Sequence, residues 1–224
     1  MRIQVVGCGG AFSPEIGNSS IIIWDGKGQG FLIDCGYTVY PILKKKNLIG
    51  KIDKIFITHR HGDHIGSLDT FLYHKRFMLN QKVTFYGLSD HLDYLKAIDP
   101  GFENDAEAYF KLGDEGIKTM PVRHSEGMSC EAFYNYGLLY SGDTAESLLE
   151  TSQARDAKII LHEVNFNDAV SVHVSFNVLA RAADEVKRKT WLYHYNVGEK
   201  EEFESKVRQH GFAGMLSQDQ MLKF

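Results

Sequence analysis

The distribution of apolar positions divides this chain into short strand-like runs and segments with helical spacing. The first runs follow one another closely around a turn at residues 25–30, which is typical of hairpins. Later runs alternate with helical segments, which favours parallel βαβ units. We therefore expect an α/β fold with two central sheets flanked by helices. Strands are predicted near residues 2–6, 20–24, 31–34, 54–58, 82–86, 117–122, 130–134, 138–140, 158–164 and 190–194, and helices near residues 39–46, 64–78, 90–97, 145–153, 176–187 and 200–210.

The densest group of candidate metal ligands follows the apolar run at residues 54–58. His59 and His61, two residues apart in an extended segment, would point the same way and could reach one ion. Asp63 and His64 come where a helix could begin, beside the first pair. The alternative, in which Asp63 caps that helix and the histidines lie in a loop, accounts for one histidine but not for the cluster. Imidazole and carboxylate ligands without thiolate suit zinc, manganese or iron, and their number predicts two ions.

More candidate ligands, His124, Asp143 and His194, follow later strand-like runs. This set, in this order, resembles the metallo-β-lactamase superfamily from the N-terminus to about His194. The resemblance implies a four-layer αββα sandwich with the metals at one edge. It implies one ion held by His59, His61 and His124 and another held by Asp63, His64 and His194, with Asp143 bridging; two Zn²⁺ ions are expected, with Mn²⁺ as the alternative.

Composition is consistent with one enzyme domain over residues 1–224. The hydrophobic content is 43%, and no Pro-, Ser- or charge-rich linker divides the chain. No run approaches the roughly 18 apolar residues of a membrane span, and the N-terminus begins a strand rather than a secretory signal, so we expect action in the cytoplasm and no membrane partner. Cys8, Cys35 and Cys130 are scattered in apolar company and are expected to be reduced core residues.

The segment at residues 162–166, His-Glu-Val-Asn-Phe, precedes His173-Val-Ser and resembles ribonuclease Z and its phosphodiesterase relatives. By that resemblance Glu163 orients His173, and His173 protonates the leaving oxygen; with Asp63 they form the expected catalytic set. Two cations can lower the pKa of a shared water, and an imidazole can supply a proton at neutral pH. The alternatives are a surface histidine and a solvated strand-end carboxylate. For His162 we expect a buried, hydrogen-bonded role.

The chain departs from ribonuclease Z between His124 and Asp143. Bacterial members commonly carry a tRNA-binding arm there, whereas residues 125–142 leave no room for one. The balance of 25 basic and 29 acidic residues gives no sign of a polyanion-binding surface. The chain thus resembles the compact cyclic-nucleotide phosphodiesterases of phages, the anti-Pycsar proteins.

This resemblance implies hydrolysis of 3′,5′-cyclic pyrimidine or purine mononucleotides to nucleoside monophosphates, a reaction that would defeat cyclic-nucleotide antiphage signalling. The alternatives are tRNA 3′ processing, hydrolysis of another small phosphodiester such as a cyclic phosphate, and a silent nucleotide-binding module. The intact ligand set argues against the silent module. A homodimer is expected by resemblance, and no base-reading residue is identified.

Three further features favour structural roles. His74, His91 and His210 lie in helical patterns and are interpreted as surface or packing residues. Aromatic residues at 133, 134 and 136 are predicted to pack in a hairpin rather than stack on bases. The glycines at 7, 9 and 10 lack the lysine and serine or threonine of a phosphate loop, so a turn after the first strand is predicted.

Overall fold

The computed structural model describes residues 1–99, 101–102, 110–112, 116–169 and 171–223. The chain divides into two compact units that interleave along the sequence. Unit 1 comprises Met1–Gly7, Gly17–Glu115 and Gln218–Lys223, and unit 2 comprises Cys8–Ile16 and Gly116–Ser217. The single domain expected over residues 1–224 stays a prediction.

The described strands are β1 (Arg2–Gly7), β2 (Ser20–Trp24), β3 (Gly30–Ile33), β4 (Ile52–Phe56), β5 (Val83–Tyr86), β6 (Phe110–Leu112), β7 (Thr119–Pro121), β8 (Glu131–Asn135), β9 (Leu138–Tyr140), β10 (Ile159–Glu163), β11 (Thr190–Tyr193), β12 (Gly214–Met215) and β13 (Met221–Lys223). The described α-helices are α1 (Val39–Lys45), α2 (Gly62–Ile65), α3 (Leu68–Tyr73), α4 (Ser89–Ile98), α5 (Ser152–Asp156), α6 (Phe176–Leu179), α7 (Asp184–Lys187) and α8 (Glu199–Gln209). Short 3₁₀ turns cover Pro14–Ile16 and Ile49–Lys51, and a π turn covers His74–Met78.

Unit 1 is built on a seven-stranded sheet in the order β13-β1-β2-β3-β4-β5-β6. Its first part is antiparallel, and β3, β4, β5 and β6 run parallel to one another. Strands β2 and β3 are buried along their whole length, which is why they read as continuous apolar runs rather than alternating ones. Because β3 and β4 are parallel, with Ile33 opposite Phe56, the residues that follow them lie at the same edge of the sheet.

Unit 2 is built on a six-stranded sheet in the order β12-β11-β10-β9-β8-β7. Strands β9, β10, β11 and β12 are parallel, and β7 and β8 extend the sheet in antiparallel fashion. The carboxyl ends of β9, β10 and β11 therefore meet at one edge. The residues at or just beyond these ends include Asp143, Glu163 and His194.

The predicted strands are confirmed to within about two residues at most ends, and so is the turn after β2, where the Asp25 N–H donates to the Gln29 carbonyl. The helix predicted at residues 145–153 is wrong. In the described structure this segment is turns and bends that end in α5. The Glu146 N–H donates to Thr144 Oγ1 and the Leu148 N–H donates to the buried His162, so side-chain acceptors take the backbone donors that a helix would use.

Two long predicted helices are divided. The helix predicted at residues 64–78 is α2, α3 and a π turn, and the one predicted at residues 176–187 is α6 and α7. Cys8, Cys35 and Cys130 are buried thiols, as expected. Among the described residues, no helix combines the length and the apolar character needed to cross a bilayer.

Candidate metal centre

The candidate ligands of unit 1 lie on the connection from β4 to α2 and at the start of α2. His59 and His64 are fully buried, and His61 is the residue immediately before α2. The His59 Nε2 and His61 Nδ1 atoms are 3.1 Å apart, and His64 Nε2 is 3.4 Å from Asp63 Oδ2. Two ligand atoms about 2.0–2.1 Å from one tetrahedral zinc would be roughly 3.3 Å apart. Each pair therefore has the separation that two ligands of one ion require.

Asp63 belongs to the first turn of α2, because the N-cap position is occupied by His61. Asp63 is therefore not the capping residue of this helix. Its carboxylate is 7% exposed and lies at the positive end of a short helix. The carboxylate lies beside the ring of His64.

Asp34, which was not predicted from the sequence, contacts the candidate ligand His64 and the residue beside His59. It follows β3, is fully buried, and adopts a left-handed backbone conformation with φ +63°. Its carboxylate accepts the Thr58 N–H at 2.8 Å, the Thr58 hydroxyl at 3.0 Å and the His64 Nδ1–H at 2.8 Å. Burial raises the pKa of the Asp34 carboxyl, while His64 and Thr58 oppose that shift.

Through these contacts Asp34 fixes how two histidines present their rings. With Nδ1 of His64 bonded to Asp34, the Nε2 atom of that ring is directed toward Asp63. The Thr58 hydroxyl donates to Asp34 and lies 3.0 Å from Nδ1 of His59. The other ring nitrogen of His59, Nε2, therefore faces His61. Such bonding of the second ring nitrogen is typical of metal-ligating histidines. The signal for Asp34 in the sequence is one carboxylate directly after the apolar run of β3.

A close backbone approach holds α2 against the residues after β3. The Cys35 N–H donates to the His64 carbonyl at 2.7 Å, and the Ser67 hydroxyl donates to the Gly36 carbonyl at 2.6 Å. A Cβ atom at Gly36 would overlap the carbonyl oxygen of Asp63. Only glycine permits this approach, so Gly36 helps to position both ligands of α2.

In unit 2 the ligands surround Asp143, which is 2% exposed and follows β9. His194 Nε2 lies 3.2 Å from Asp143 Oδ2, and His124 Nε2 lies 3.8 Å from the same oxygen. His124 donates from Nδ1 to the Val172 carbonyl at 2.7 Å, so its Nε2 faces Asp143. His194 is turned inward by a left-handed backbone with φ +68°, and its N–H donates to the Cys8 carbonyl at 2.7 Å.

His173 and Glu163 form a bonded pair beside Asp143. His173 Nδ1 lies 2.7 Å from Glu163 Oε2 and 4.0 Å from Asp143 Oδ2. Glu163 is completely buried at the end of β10 rather than solvated, and its other carboxylate oxygen accepts the Thr144 N–H. Burial raises the pKa of the Glu163 carboxyl, and the hydrogen bond from His173 opposes that rise. The His173 side chain is 22% exposed, so one face of its ring reaches solvent.

His162 is buried and hydrogen-bonded on both ring nitrogens, as the sequence predicts. It accepts the Leu148 N–H at Nε2 and donates from Nδ1 to the Glu163 carbonyl. Burial lowers its pKa to about 4, so the ring is neutral at physiological pH. His74, His91 and His210 bond to Tyr40, the Leu88 N–H and the Lys206 carbonyl, respectively, and none of these bonds involves the ligands above.

The donor set of each unit fits a divalent transition metal. The atoms are imidazole nitrogens and carboxylate oxygens, the ligands that zinc and manganese take in proteins. His59, Asp63, His64, His124 and Asp143 are buried, whereas His61 and His194 are partly exposed. The donor atoms lie at ligand-to-ligand separations, and several rings are fixed through their other nitrogen. Together with the fold, this donor set defines a metal-dependent hydrolase.

Comparison with known proteins identifies the family. The model of the family described as "Anti-Pycsar protein Apyc1" matches residues 1–114 and 102–222, and the chain belongs to that family. It is 28% identical over 220 residues to an anti-Pycsar protein Apyc1 of Paenibacillus harenae, a match that covers 87% of this chain and 90% of the relative.

Solved structures identify the fold. A diphosphatase from the PhnP family superposes with a TM-score of 0.78 at 18% identity, covering 100% of this chain and 97% of the other. The short form of human tRNase Z superposes with a TM-score of 0.72 at 21% identity, covering 100% and 99%. The predicted α/β metallo-β-lactamase fold is confirmed, and family and site together define a metal-dependent phosphodiesterase.

Proposed function

We propose that this chain hydrolyses 3′,5′-cyclic nucleotides to nucleoside monophosphates. The observation that carries the proposal is the His173–Glu163 pair, with His173 Nδ1 4.0 Å from Asp143 Oδ2. Metal ligands alone serve many hydrolytic reactions, whereas a positioned acid beside them suits the expulsion of an alkoxide. Membership of the anti-Pycsar family supports a cyclic nucleotide as the substrate, and the reaction would then remove an antiphage signal.

Two Zn²⁺ ions, with Mn²⁺ as the alternative, are the cofactors of this proposal. When bound, two cations activate a water molecule and neutralise charge on the phosphoryl oxygens. Asp63 contributes to catalysis through its part in holding them. The assignment, as the resemblance implies, is one ion at His59, His61 and His124, the other at Asp63, His64 and His194, and Asp143 as the bridge.

His173 supplies the proton for the leaving group in this proposal. In the imidazolium form its Nδ1–H is donated to Glu163, so the Nε2–H is the proton that can pass to the departing sugar oxygen. The P–O bond to that oxygen breaks as water adds to phosphorus, and the neutral ring keeps its proton on Nδ1. Glu163 stabilises the charged ring and holds its orientation, and the Thr144 N–H fixes Glu163 in turn.

A homodimer is the assembly that we propose for the active protein, on the resemblance alone. Sedimentation velocity at micromolar concentration tests it. A mass of twice 25.4 kDa is the expected result, and a mass of 25.4 kDa would contradict it.

The proposed activity is tested with a substrate panel in the presence of Zn²⁺ and of Mn²⁺. The panel contains 3′,5′-cyclic mononucleotides, cyclic dinucleotides, another small cyclic phosphate and a precursor tRNA. We expect the cyclic mononucleotides to yield monophosphates, with no turnover by Asp143→Ala and full turnover by the exposed control Asp156→Ala. Efficient 3′ cleavage of the precursor tRNA with every cyclic nucleotide intact would replace the proposal by tRNA processing. Return of bound nucleotide unchanged would identify a binding module.

A further inference from the structure

Phe12 is the most exposed large apolar side chain described in the structure, at 92% of its full accessibility. It lies at the tip of a tight turn in unit 2, in which the Ser13 N–H donates to the Gly10 carbonyl at 3.2 Å. An isolated exposed apolar side chain is common on protein surfaces. The position of this one relative to a metal ligand makes it informative.

The turn is fixed to the segment that carries His194. The His194 N–H donates to the Cys8 carbonyl at 2.7 Å, and the Gly10 N–H donates to the Tyr195 carbonyl at 3.3 Å. On the far side of the tip, Ser13 is 2% exposed and its hydroxyl accepts the Val197 N–H at 3.1 Å. Both ends of the turn are therefore anchored, and the phenyl ring projects from a backbone that is already ordered.

The turn also reaches the ligand cluster itself. A Cβ atom at Gly10 would lie 3.3 Å from Nε2 of His194, the atom that faces Asp143. Two extended residues span at most about 7 Å, so the Cα atom of Phe12 lies within that distance of Gly10. The turn that carries Phe12 therefore borders the ring of His194 at Gly10, two residues from Phe12 itself.

We propose that Phe12 is the stacking surface for the nucleobase of the substrate, an inference that rests on the proposed function. In a cyclic nucleotide whose phosphorus lies at the candidate metal ligands, one ribose ring separates the phosphorus from the base. The base would then lie next to these ligands, where the turn that carries Phe12 is. An aromatic face stacks on any base, and it does so without loss of backbone entropy because the turn is anchored. Phe12 therefore strengthens binding of nucleotides over base-free phosphodiesters, without discriminating among the bases by hydrogen bonds.

A second copy of this chain is the other possible occupant of the exposed ring. A phenylalanine covers 150–250 Å². A specific protein interface buries about 1,200–2,000 Å² in total. The other large apolar side chain exposed on the anchored segments is Val197, which is 56% exposed, and the two side chains together are small for such an interface. The area of these two side chains fits one flat nucleobase better than it fits a protein interface.

The test compares a 3′,5′-cyclic nucleotide with a base-free analogue, 1-O-methylribose 3′,5′-cyclic phosphate. Phe12→Ala should raise KM for the nucleotide about 5- to 150-fold, the value expected for loss of one base–aromatic stack, with kcat nearly unchanged. KM for the base-free analogue should not change, and Phe12→Trp should restore nucleotide binding. Tyr136→Ala is the matched control, because Tyr136 is 42% exposed in the same unit at the amino end of β9, opposite the end that leads to Asp143.

An unchanged KM in Phe12→Ala, or an equal change for both substrates, would overturn the inference. Loss of a dimer in Phe12→Ala, measured by sedimentation, together with an equal loss on both substrates would assign the ring to an interface. If wild-type protein turned over neither substrate, the proposed function would fail instead. Stacking would then be measured with uridine monophosphate by fluorescence of F12W: quenching beyond that of wild type supports the inference, and its absence refutes it.

Discussion

Asp34 and His64 form a completely buried pair, with Asp34 Oδ2 2.8 Å from His64 Nδ1. Neither side chain is accessible to solvent, and the carboxylate is shared with Thr58, which contacts His59. One side chain therefore fixes the rings of two candidate metal ligands. It does so from the end of a neighbouring strand, so its effect on the metal is indirect and separable from ligation.

Asp34→Asn should lower metal affinity about 10- to 100-fold without unfolding the protein, as is usual when the partner of a metal-bound histidine is changed. Asparagine keeps the shape and tolerates the left-handed backbone of this position. Competition titration against a chelating dye measures the affinity. Asp53→Asn, on the exposed side of β4, is the control. Equal affinity in Asp34→Asn and the control would remove the orienting role.

Gly36→Ala should destabilise unit 1, because the new methyl group would overlap the Asp63 carbonyl and displace α2. Overpacking of this kind costs about 1–3 kcal/mol. Thermal unfolding measures the loss, and metal content measures the displacement of Asp63 and His64. Gly26→Ala is the comparison, since a Cβ there meets no described atom within 4 Å. Identical melting temperatures for the two variants would contradict the argument.

His173→Ala should slow turnover of a cyclic nucleotide by about 10²–10⁴-fold while metal content stays intact, because the leaving alkoxide would lack a proton donor. A p-nitrophenyl phosphodiester, whose leaving group needs no proton, should suffer much less. Glu163→Gln should give a smaller loss in the same direction, because it keeps the shape and weakens stabilisation of the charged ring. Equal losses on both substrates would indicate a binding role for His173.

Acid should destabilise the protein through His162. Its folded-state pKa, about 4, lies below the ordinary value of 6.5, so the unfolded chain binds more protons between these limits. The free energy of unfolding that the neutral, buried His162 contributes is complete above pH 6.5 and is lost as the pH falls toward 4. It amounts to at most about 3 kcal/mol. Urea unfolding from pH 7.5 to 4.5 should give a steeper decline for wild type than for His162→Gln. Parallel declines would argue against burial of a neutral ring.

The candidate ligands that the sequence predicted most directly are those that lie within one short segment. His59, His61, Asp63 and His64 fall within six residues, so their proximity follows from local geometry, and α2 begins where their spacing indicates. Asp34 is 24 residues from Thr58 and reaches it only because β3 and β4 pair in parallel. The pairing of two strands that are distant in the chain leaves no periodic signal in the sequence, so the sequence alone did not identify Asp34.

Tertiary contacts explain both the strands that the sequence did not predict and the helix that it predicted wrongly. Strands β6, β12 and β13 are two or three residues long and contain at most two apolar residues each, so no apolar run marks them in the sequence. Strand β13 exists because it pairs with β1. The helical pattern at residues 145–153 is real in sequence, yet the buried ring of His162 takes the Leu148 N–H and prevents the helix. Buried polar acceptors outweigh local helical preference there.

We propose above that this protein is a two-metal phosphodiesterase that opens a cyclic nucleotide. Metal-free protein titrated with Zn²⁺ or Mn²⁺, with turnover of a 3′,5′-cyclic nucleotide followed by ³¹P NMR, tests it most directly. We expect activity to rise to its maximum at two equivalents of metal per chain, the product to be a nucleoside monophosphate, and Asp143→Ala to form no product. Undiminished turnover in the presence of a chelator, or by Asp143→Ala, would contradict it.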